Sequence, residues 1–289
     1  HFNMFGGTLA GNNPVYDNQT MGGAVYVGDS SVFVMSGGAI KWNTADTGGG
    51  VYNNSEKFIF HAGEISNNSV RWGGGGGGVY NTSTFTMDGG KICSNSAIGG
   101  DGPCGGGGLN AMGTFNMCAG EISGNESGMG GGVFNGAAFV VSGGAITSNT
   151  AQYGGGIYNV SNTVSNTFEL KDGLIENNIA SKNGGGVYNK GTFTMSGAEI
   201  SSNSAIEYGG GGYADAPAPC GLSGGNIEEN TAATGGGVYC ALTSNVILGG
   251  SVNIEIGFEY DFAILLIFNG SRIISSARYR NVQLASSCK

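Results

Sequence analysis

The sequence predicts an all-β fold, a single-stranded parallel β-helix (solenoid) of about ten coils. A motif typified by residues 184–205, GGGVYNKGTFTMSGAEISSNSA, recurs along the chain at spacings of 24 to 31 residues. In all nine copies an asparagine stands three residues after an aligned isoleucine or leucine, and in eight copies a phenylalanine stands seven residues before it. Spacings of this size indicate stacked supersecondary units, so we expect equivalent residues of successive copies to form columns.

The first element of each copy is a short strand. In Phe193-Thr194-Met195, apolar and polar residues alternate between glycines, which is the period of a strand with Phe and Met on one face. Pairing with the next coil at about 4.8 Å would put the phenylalanines in a buried, offset stack. The column comprises Phe2, Phe33, Phe58, Phe85, Phe115, Phe139, Phe168 and Phe193, with Cys220 in the ninth copy.

A glycine-centred bend then leads to a strand around the aligned isoleucine, and the asparagines follow that strand. Asparagine tolerates left-handed backbone angles, and its amide can donate to the next coil while it holds a bend open. We therefore predict a structural ladder, with a polar binding groove as the alternative. Its members are Asn12, Asn43, Asn68, Asn95, Asn125, Asn149, Asn178, Asn203 and Asn230.

The third element follows a glycine run, where positive φ or close backbone approach is needed. Branched aliphatic residues such as Val187 suit the core, so we expect the aromatic residue after each of them to form an outward ladder. Such a ladder either shields the sheet or binds glycan or a neighbouring solenoid. This candidate surface comprises Tyr26, Tyr52, Tyr80, Phe134, Tyr158, Tyr188 and Tyr239. Trp42 and Trp72, near a bend, are either a structural patch or a platform for sugar stacking.

Six cysteines without a CxxC pair favour disulfides over a zinc site, with free buried thiols as the alternative. They are Cys93, Cys104, Cys118, Cys220, Cys240 and Cys288. We expect Cys104, in an inserted turn, to pair with Cys93 or Cys118. Cys220 and Cys240 are about one coil apart and would form a second bridge if their Cβ atoms face each other.

The repeat fades after Leu248, so we divide the chain into a β-helix domain, residues 1–250, and a C-terminal segment, residues 251–289. The apolar run at residues 258–268 is too short to span a bilayer as a helix. We expect strands there that either cap the core or recruit another subunit. Because the chain starts at His1 within a coil, we expect a processed form or a fragment.

Charge and composition argue against two classes of partner. The net charge is -9, only 11% of the residues are charged, and lysine and arginine form no stripe. We therefore expect binding neither to nucleic acid nor to anionic membrane surfaces. Since the most apolar run is too short to span a bilayer, we also expect no membrane insertion.

Catalytic patterns are sparse. Ser36, His61 and Asp88 occupy one outward column in consecutive coils, but side chains of a parallel column point the same way and no oxyanion donor is identifiable, so we interpret this as chance.

Glu64 and Glu121 share another column, about 10 Å apart, which is long for a retaining glycosidase pair. The calcium-binding nonapeptide repeat is missing. We therefore predict neither enzyme activity nor a metal or cofactor.

Two short segments carry a family resemblance. GGAI at residues 37–40 and 143–146, followed by Asn43 and Asn149, resembles the short repeats of polymorphic outer-membrane proteins. More broadly, GGGVYN with FTMSG and ISxNxA is similar to the right-handed parallel β-helix repeats of secreted, adhesin-like microbial proteins. The resemblance spans residues 2–232 and implies right-handed winding and a secreted or surface-exposed stalk or passenger domain.

These observations predict a non-catalytic, extracellular or cell-surface solenoid that acts in adhesion or assembles end to end or laterally into a filament or layer. Its partners would be other copies of itself or a surface glycan or protein. The alternative is a carbohydrate-active β-helix enzyme, a polysaccharide lyase or hydrolase, or a glycan-binding module. Ice binding would need flat ranks of threonine, and the column of Thr86 and Thr194 is interrupted by other residue types.

Overall fold

A computed structural model describes residues 1–14, 20–54, 56–71, 75–98, 104–160, 167–215, 219–241, 245–258 and 272–274. Within these ranges every regular element is a β-strand, and no helix there is long and apolar enough to cross a membrane. The strands form a parallel β-solenoid of about eight turns, which confirms the predicted fold class. The right-handed winding and the total of about ten coils stay predictions.

The strands pair in parallel, most of them with their counterparts in the coils before and after. In chain order they are β1 (Phe2–Met4), β2 (Thr8–Ala10), β3 (Val25–Val27), β4 (Val32–Lys41), β5 (Thr44–Ala45), β6 (Val51–Asn53), β7 (Lys57–Ser66), β8 (Ser69–Val70), β9 (Gly75–Gly76), β10 (Val79–Asn81), β11 (Thr84–Cys93), β12 (Ser96–Ala97), β13 (Cys104–Gly105), β14 (Gly108–Asn110), β15 (Thr114–Ser123), β16 (Glu126–Ser127), β17 (Val133–Asn135), β18 (Ala138–Thr147), β19 (Thr150–Tyr153), β20 (Ile157–Val160), β21 (Thr167–Glu176), β22 (Ile179–Asn183), β23 (Val187–Lys190), β24 (Thr192–Met195), β25 (Glu199–Ser201), β26 (Ser204–Ala205), β27 (Gly212–Ala214), β28 (Pro219–Glu228), β29 (Val238–Cys240), β30 (Asn245–Phe258) and β31 (Arg272–Ile274).

Three faces run along the solenoid, and a regular coil contributes to each of them. The strands predicted around the phenylalanine and around the isoleucine lie in the same face, and the strands of the narrow face were not predicted. The ten-residue strands, such as β7, β11 and β15, lie side by side in the broad face. The strands of the Val-Tyr-Asn motif, such as β6 and β10, form the aromatic face. Seven strands of two to five residues, from β5 to β26, form the narrow face.

Equivalent residues pair in register across the coils. On the broad face Phe33 pairs with Phe58 and Ile40 with Ile65, and the isoleucine column continues to Ile227. The phenylalanine rings stack inside the core; the Phe115 and Phe139 centroids are 4.6 Å apart. The predicted column of buried rings is therefore confirmed from Phe33 to Phe193, with Cys220 as its ninth member, whereas Phe2 in the first coil stacks on Phe33 but is 49% exposed.

The predicted bend after the Phe strand is a β-bulge inside one continuous strand. In β18 the pairing with β21 shifts after Val141 and again after Ser142. Gly144 has φ of 90°, and a Cβ on it would lie 2.7 Å from the carbonyl oxygen of Gly120 in the neighbouring coil. Glycine is needed there because both the angle and the spacing exclude a side chain.

No disulfide joins the described cysteines, so the predicted bridges within residues 1–241 are wrong. Cys93 ends β11 and pairs with Ser123 on the broad face, whereas Cys104 begins β13 in a separate two-stranded sheet. Cys118 is exposed at the bulge of β15. The three thiols therefore lie in different columns.

Cys220 and Cys240 belong to different faces. Cys220 pairs with Phe193 on the broad face, and Cys240 pairs with Ala214 on the aromatic face. Both side chains are buried in the core, and burial raises the pKa of Cys240 to about 12, so its thiol stays protonated at neutral pH. Cys288 lies outside the described residues.

Strand β30 continues the stacking past residue 250 and pairs with both β28 and β29. Residues 259–271, most of the apolar run, and residues 275–289 lie outside the described ranges. The capping or assembly role and the domain boundary stay predictions.

Candidate functional site

The predicted asparagine ladder runs along the corner between the broad and narrow faces. The backbone N–H and Nδ2 of Asn125 donate to Oδ1 of Asn149 at 3.0 and 2.9 Å, and Nδ2 of Asn149 donates to the Ile122 carbonyl at 3.0 Å. The same pattern links every member from Asn43 to Asn203 to the next. All members except the first are buried, so their amides hold the stack together and leave no amide-lined groove on the surface.

The left-handed backbone angle falls one residue earlier than predicted. Ser94, Ser148 and Ser202, each just before a ladder asparagine, have φ of 55°. The turn is completed before the asparagine, and its side chain then points into the stack.

Trp42 occupies the equivalent corner position in its own coil, with φ of 56° and an exposed indole. Nζ of Lys41 lies 4.4 Å from the centroid of the Trp42 ring, so one face of this candidate sugar platform already carries a cation–π contact. Trp72 lies outside the described residues.

A second asparagine ladder, which the sequence analysis missed, follows the aromatic face. Each Nδ2 donates to Oδ1 of the next member at 2.7 to 2.9 Å. The members are Asn53, Asn81, Asn110, Asn135, Asn159 and Asn189. The recurring Val-Tyr-Asn triplet was its signal. At the two ends of the ladder the neighbouring coils have Val27 and Ala214 in place of an asparagine. Oδ1 of Asn53 and Nδ2 of Asn189 are therefore buried without a partner.

The tyrosine column points away from the core, as predicted, and its rings stack along the solenoid axis. The Tyr26 and Tyr52 centroids are 5.3 Å apart with planes 4° from parallel, and those of Tyr52 and Tyr80 are 5.0 Å apart. Stacking covers the faces between neighbouring rings and leaves mainly edges and hydroxyls to solvent. Because a sugar stacks on an aromatic face, this geometry favours hydroxyl contacts over ring–sugar stacking.

The expected exposure of the column is wrong for its C-terminal half. Tyr26 is 53% exposed, but Tyr158, Tyr188 and Tyr239 are buried. An outer layer covers them, built from residues that come just before the glycine runs and pair in parallel with the neighbouring coils. This layer includes Met129, Tyr153 and Tyr208. Tyr213, which follows glycine instead of an aliphatic residue, also belongs to the column.

Tyr188, Lys190 and Asp215 form a polar network on the aromatic face. The Tyr188 hydroxyl donates to Oδ2 of Asp215 at 3.0 Å, and Nζ of Lys190 lies 3.2 Å from the same oxygen. Burial, together with the negative charge of Asp215, raises the pKa of Tyr188 well above its ordinary value. The phenol is therefore a fixed hydrogen-bond donor.

The broad face carries the ion pairs of His61 with Asp88, Lys91 with Glu121 and Lys171 with Glu169. His61 Nδ1 and Asp88 Oδ1 are 2.7 Å apart, so the structure joins two members of the Ser-His-Asp column. Within the described ranges no hydrogen bond links Ser36 to His61. The imidazole is half-exposed and oriented by a carboxylate.

Glu64 and Glu121 lie on either side of Lys91, as the register predicts. Nζ of Lys91 is 3.0 Å from Oε1 of Glu121. Hydrogen bonds from Ser123 and Lys91 hold the pKa of Glu121 below its ordinary value. A general acid needs a raised pKa, so Glu121 is a poor proton donor.

Arg71 joins neighbouring coils near the N-terminus. Its Nη1 donates to Oδ1 of Asp46 and to the Thr20 hydroxyl, both at 3.1 Å, and its Nη2 donates to Asn13 Oδ1 and the Pro14 carbonyl. Burial tends to raise the pKa of Asp46, but hydrogen bonds from Thr20 and Arg71 outweigh it and leave the pKa below its ordinary value. The residue types differ from coil to coil, so no sequence column marked this cluster.

The narrow face presents a hydroxyl-rich column. Its members pair in register across eight coils and alternate with small buried residues such as Ala45 and Ala180. They are Thr44, Ser69, Ser96, Glu126, Thr150, Ile179, Ser204 and Thr231. The Thr44 and Ser69 hydroxyl oxygens are 3.1 Å apart. Six of the eight members carry a hydroxyl at the strand spacing, and the carboxylate of Glu126 and the exposed apolar side chain of Ile179 interrupt the row.

Comparison with family models, curated proteins and solved structures finds no match to this chain. The similarity to outer-membrane and adhesin-like repeats therefore rests on the quoted motifs, and that family stays a prediction.

Proposed function

We propose that this chain is a non-catalytic, extracellular or cell-surface solenoid that acts as a rigid rod in adhesion or assembly. The observation that supports it is the unbroken register of the narrow-face hydroxyl column, from Thr44 to Thr231. Two buried amide ladders and a stacked phenylalanine column hold this row straight.

The proposed mechanism is repetition on a rigid support. Each hydroxyl contributes one weak contact, and a partner with a matching repeat engages several at once without further ordering of the chain. Contacts linked in this way raise avidity by effective concentration. A second copy of the rod, a surface glycan and an extended β-strand all supply hydrogen-bonding groups at a comparable spacing.

Charge placed in the hydroxyl column tests this function. Thr150 is exposed and pairs with Glu126, so Thr150→Glu would put two carboxylates side by side on the narrow face. Thr194→Glu is the matched control, since Thr194 is exposed on the broad face beside Glu169.

We expect Thr150→Glu to weaken self-association, measured by sedimentation velocity, or retention on immobilised glycans and cell surfaces, by at least about tenfold. Thr194→Glu should behave as the unmodified protein. Equal effects of the two substitutions would exclude the narrow face as the contact surface.

The alternative function, a carbohydrate-active enzyme, is favoured by the hydrogen bond between His61 and Asp88 beside Glu64 on the broad face. Incubation with a panel of polysaccharides would reveal it through new reducing ends or unsaturated products. His61→Ala should then abolish activity, whereas Lys171→Ala, which removes the ion pair with Glu169, should not. Turnover with this dependence would contradict the non-catalytic proposal.

A further inference from the structure

Trp42 combines two features that other coils avoid at the same corner of the solenoid. Its φ of 56° is a left-handed backbone angle that bulky residues rarely adopt, and its side chain is 58% exposed. Other coils have small polar residues at this corner, among them Asn67, Ser94, Ser148 and Ser202. Because a large ring on a strained, exposed turn contributes little to packing, this departure from the repeat points to a function.

The indole is held on one side and has open space beside it. Nζ of Lys41 lies 4.4 Å from the ring centroid, so a cation–π contact fixes one face of the indole. The same corner of the preceding coil is Gly11, whose N–H donates to the Lys41 carbonyl at 3.3 Å. A Cβ on Gly11 would meet no atom within 4 Å. The space next to Trp42 in that coil is therefore open to a ligand.

Uncharged hydrogen-bonding groups flank the indole. Thr44 comes two residues later, where the narrow face begins, and its hydroxyl oxygen is 3.1 Å from that of Ser69. Asn67 occupies the same corner in the next coil and is also exposed. A sugar ring has C–H groups on one face and hydroxyls around its edge, so it matches an aromatic ring beside hydroxyl and amide groups.

We propose that Trp42 is the platform of a binding site for a pyranose ring of a neutral glycan. The C–H face of the sugar stacks on the open face of the indole, and the sugar hydroxyls hydrogen-bond with Thr44, Asn67 and Ser69. A neutral glycan fits better than an acidic one because the chain has a net charge of -9. The site rests on the proposed adhesive function and gives it a ligand class, since the hydroxyl column that starts at Thr44 contacts the sugars that follow.

Affinity electrophoresis in gels that contain a polysaccharide tests the site. The panel comprises β-glucan, mannan, galactan and xylan, with a polyuronate as the acidic arm, and we expect at least one neutral polymer to retard the protein. Trp42→Asn introduces the residue that the next coil has at this corner, and should raise the apparent Kd at least about tenfold. Tyr26→Ala is the matched control, because it removes an exposed ring from the aromatic face and should leave binding unchanged.

Fluorescence and thermal unfolding separate a ligand platform from a structural patch. The chain has two tryptophans, so Trp72→Phe leaves Trp42 as the single indole reporter, and its emission should change when the retarding polysaccharide is added. Trp42→Asn should unfold at the same or a higher temperature than the unmodified protein, because asparagine tolerates the left-handed angle better. A lower unfolding temperature together with unchanged binding would identify the indole as a structural patch.

The glycan site is overturned if no neutral polymer binds, if only the polyuronate binds, or if the emission of Trp42 does not respond to a polymer that binds. Self-association of Thr150→Glu in sedimentation velocity is a separate measurement. If Thr150→Glu still weakens self-association while no glycan binds, the site at Trp42 fails and the proposed rod function stands. If glycan binding depends on Trp42 but Thr150→Glu changes neither association nor retention, the narrow face fails and the Trp42 site stands.

Discussion

At the residue scale, the ladder asparagines differ from ordinary polar core residues because each amide serves two coils. An interior member such as Asn149 accepts two hydrogen bonds from Asn125 and donates to Ile122 and Asn178. Both ends of the amide are used, so no other side chain of this size replaces it. Aspartate lacks the donor and leucine lacks both groups.

Asn149→Ala should therefore be among the most costly single substitutions. It removes all four hydrogen bonds and leaves the backbone N–H of Asn125 and one of its two Nδ2 hydrogens buried without an acceptor. We therefore expect the free energy of unfolding to fall by about 3 kcal/mol or more. Urea unfolding measures the change. Asn12→Ala is the control, because Asn12 is exposed in the first coil and water can replace its bonds; its cost should stay below about 1 kcal/mol. Equal costs would contradict the proposed energetic role of burial.

The lowered pKa of Asp46 predicts that the folded protein loses stability in acid. Its pKa is lowered in the folded protein by hydrogen bonds from Thr20 and Arg71, which outweigh the effect of burial. A depressed carboxyl pKa stabilises the fold above the ordinary pKa and loses that contribution as the pH falls through the folded value. Asp46→Asn should therefore show a smaller loss of thermal stability between neutral pH and about pH 3 than the unmodified protein. If both proteins lose stability in parallel, the cluster around Arg71 contributes nothing to the acid response.

Residue columns could be predicted from sequence wherever one residue type repeats in one register. The Asn149 and Phe139 columns were predicted in this way. The second ladder was missed because its asparagine was treated as part of a Val-Tyr-Asn strand, not as a column of its own. The cysteine pairing failed for a different reason: whether Cys93 faces Cys104 depends on how the chain between them runs, which side-chain periodicity does not determine.

At the element scale, the glycine runs let the backbones of neighbouring coils touch. A Cβ on Gly131 would lie 2.4 Å from the carbonyl oxygen of Gly155 and 2.6 Å from that of Thr150, and both are backbone atoms that cannot move independently. The sequence predicted close backbone approach here, and the structure confirms it. The outer layer over the tyrosines was not predicted, because Met129, Tyr153 and Tyr208 stand at equivalent places just before the glycine runs but do not share one residue type with the other coils.

Gly131→Ala should consequently push the backbone of its coil away from Gly155 and Thr150 in the next coil. We expect this forced backbone shift to lower the free energy of unfolding by about 2 to 3 kcal/mol. Gly128→Ala, in the same turn, is the matched control: its nearest neighbour is the Cys104 sulfur at 3.6 Å, an ordinary contact. Thermal unfolding of the two variants compares them directly. A neutral Gly131→Ala would mean that the glycine run is not required for close packing of the coils.

At the scale of the whole molecule, coils contact mainly the coils next to them, so stability is approximately a sum of coil and interface contributions. The three faces are therefore extended surfaces whose features repeat at one interval, which is the geometry that the proposed multivalent binding requires.

The net charge of -9 predicts how the proposed association of two copies should depend on salt. Two rods side by side repel each other along their length at low ionic strength, whereas hydrogen bonds between hydroxyl columns are short-ranged and weakly affected by salt. The screening length falls from about 10 Å at 0.1 M salt to about 3 Å at 1 M, so added salt should promote lateral association. We expect the weight-average mass from sedimentation to rise with salt, and to rise less for Thr150→Glu, in which adjacent carboxylates disrupt the contact itself.

Association that weakens as salt is added would instead require opposite charges at the contact, and would place it on the broad face, where Lys91 and Lys171 lie.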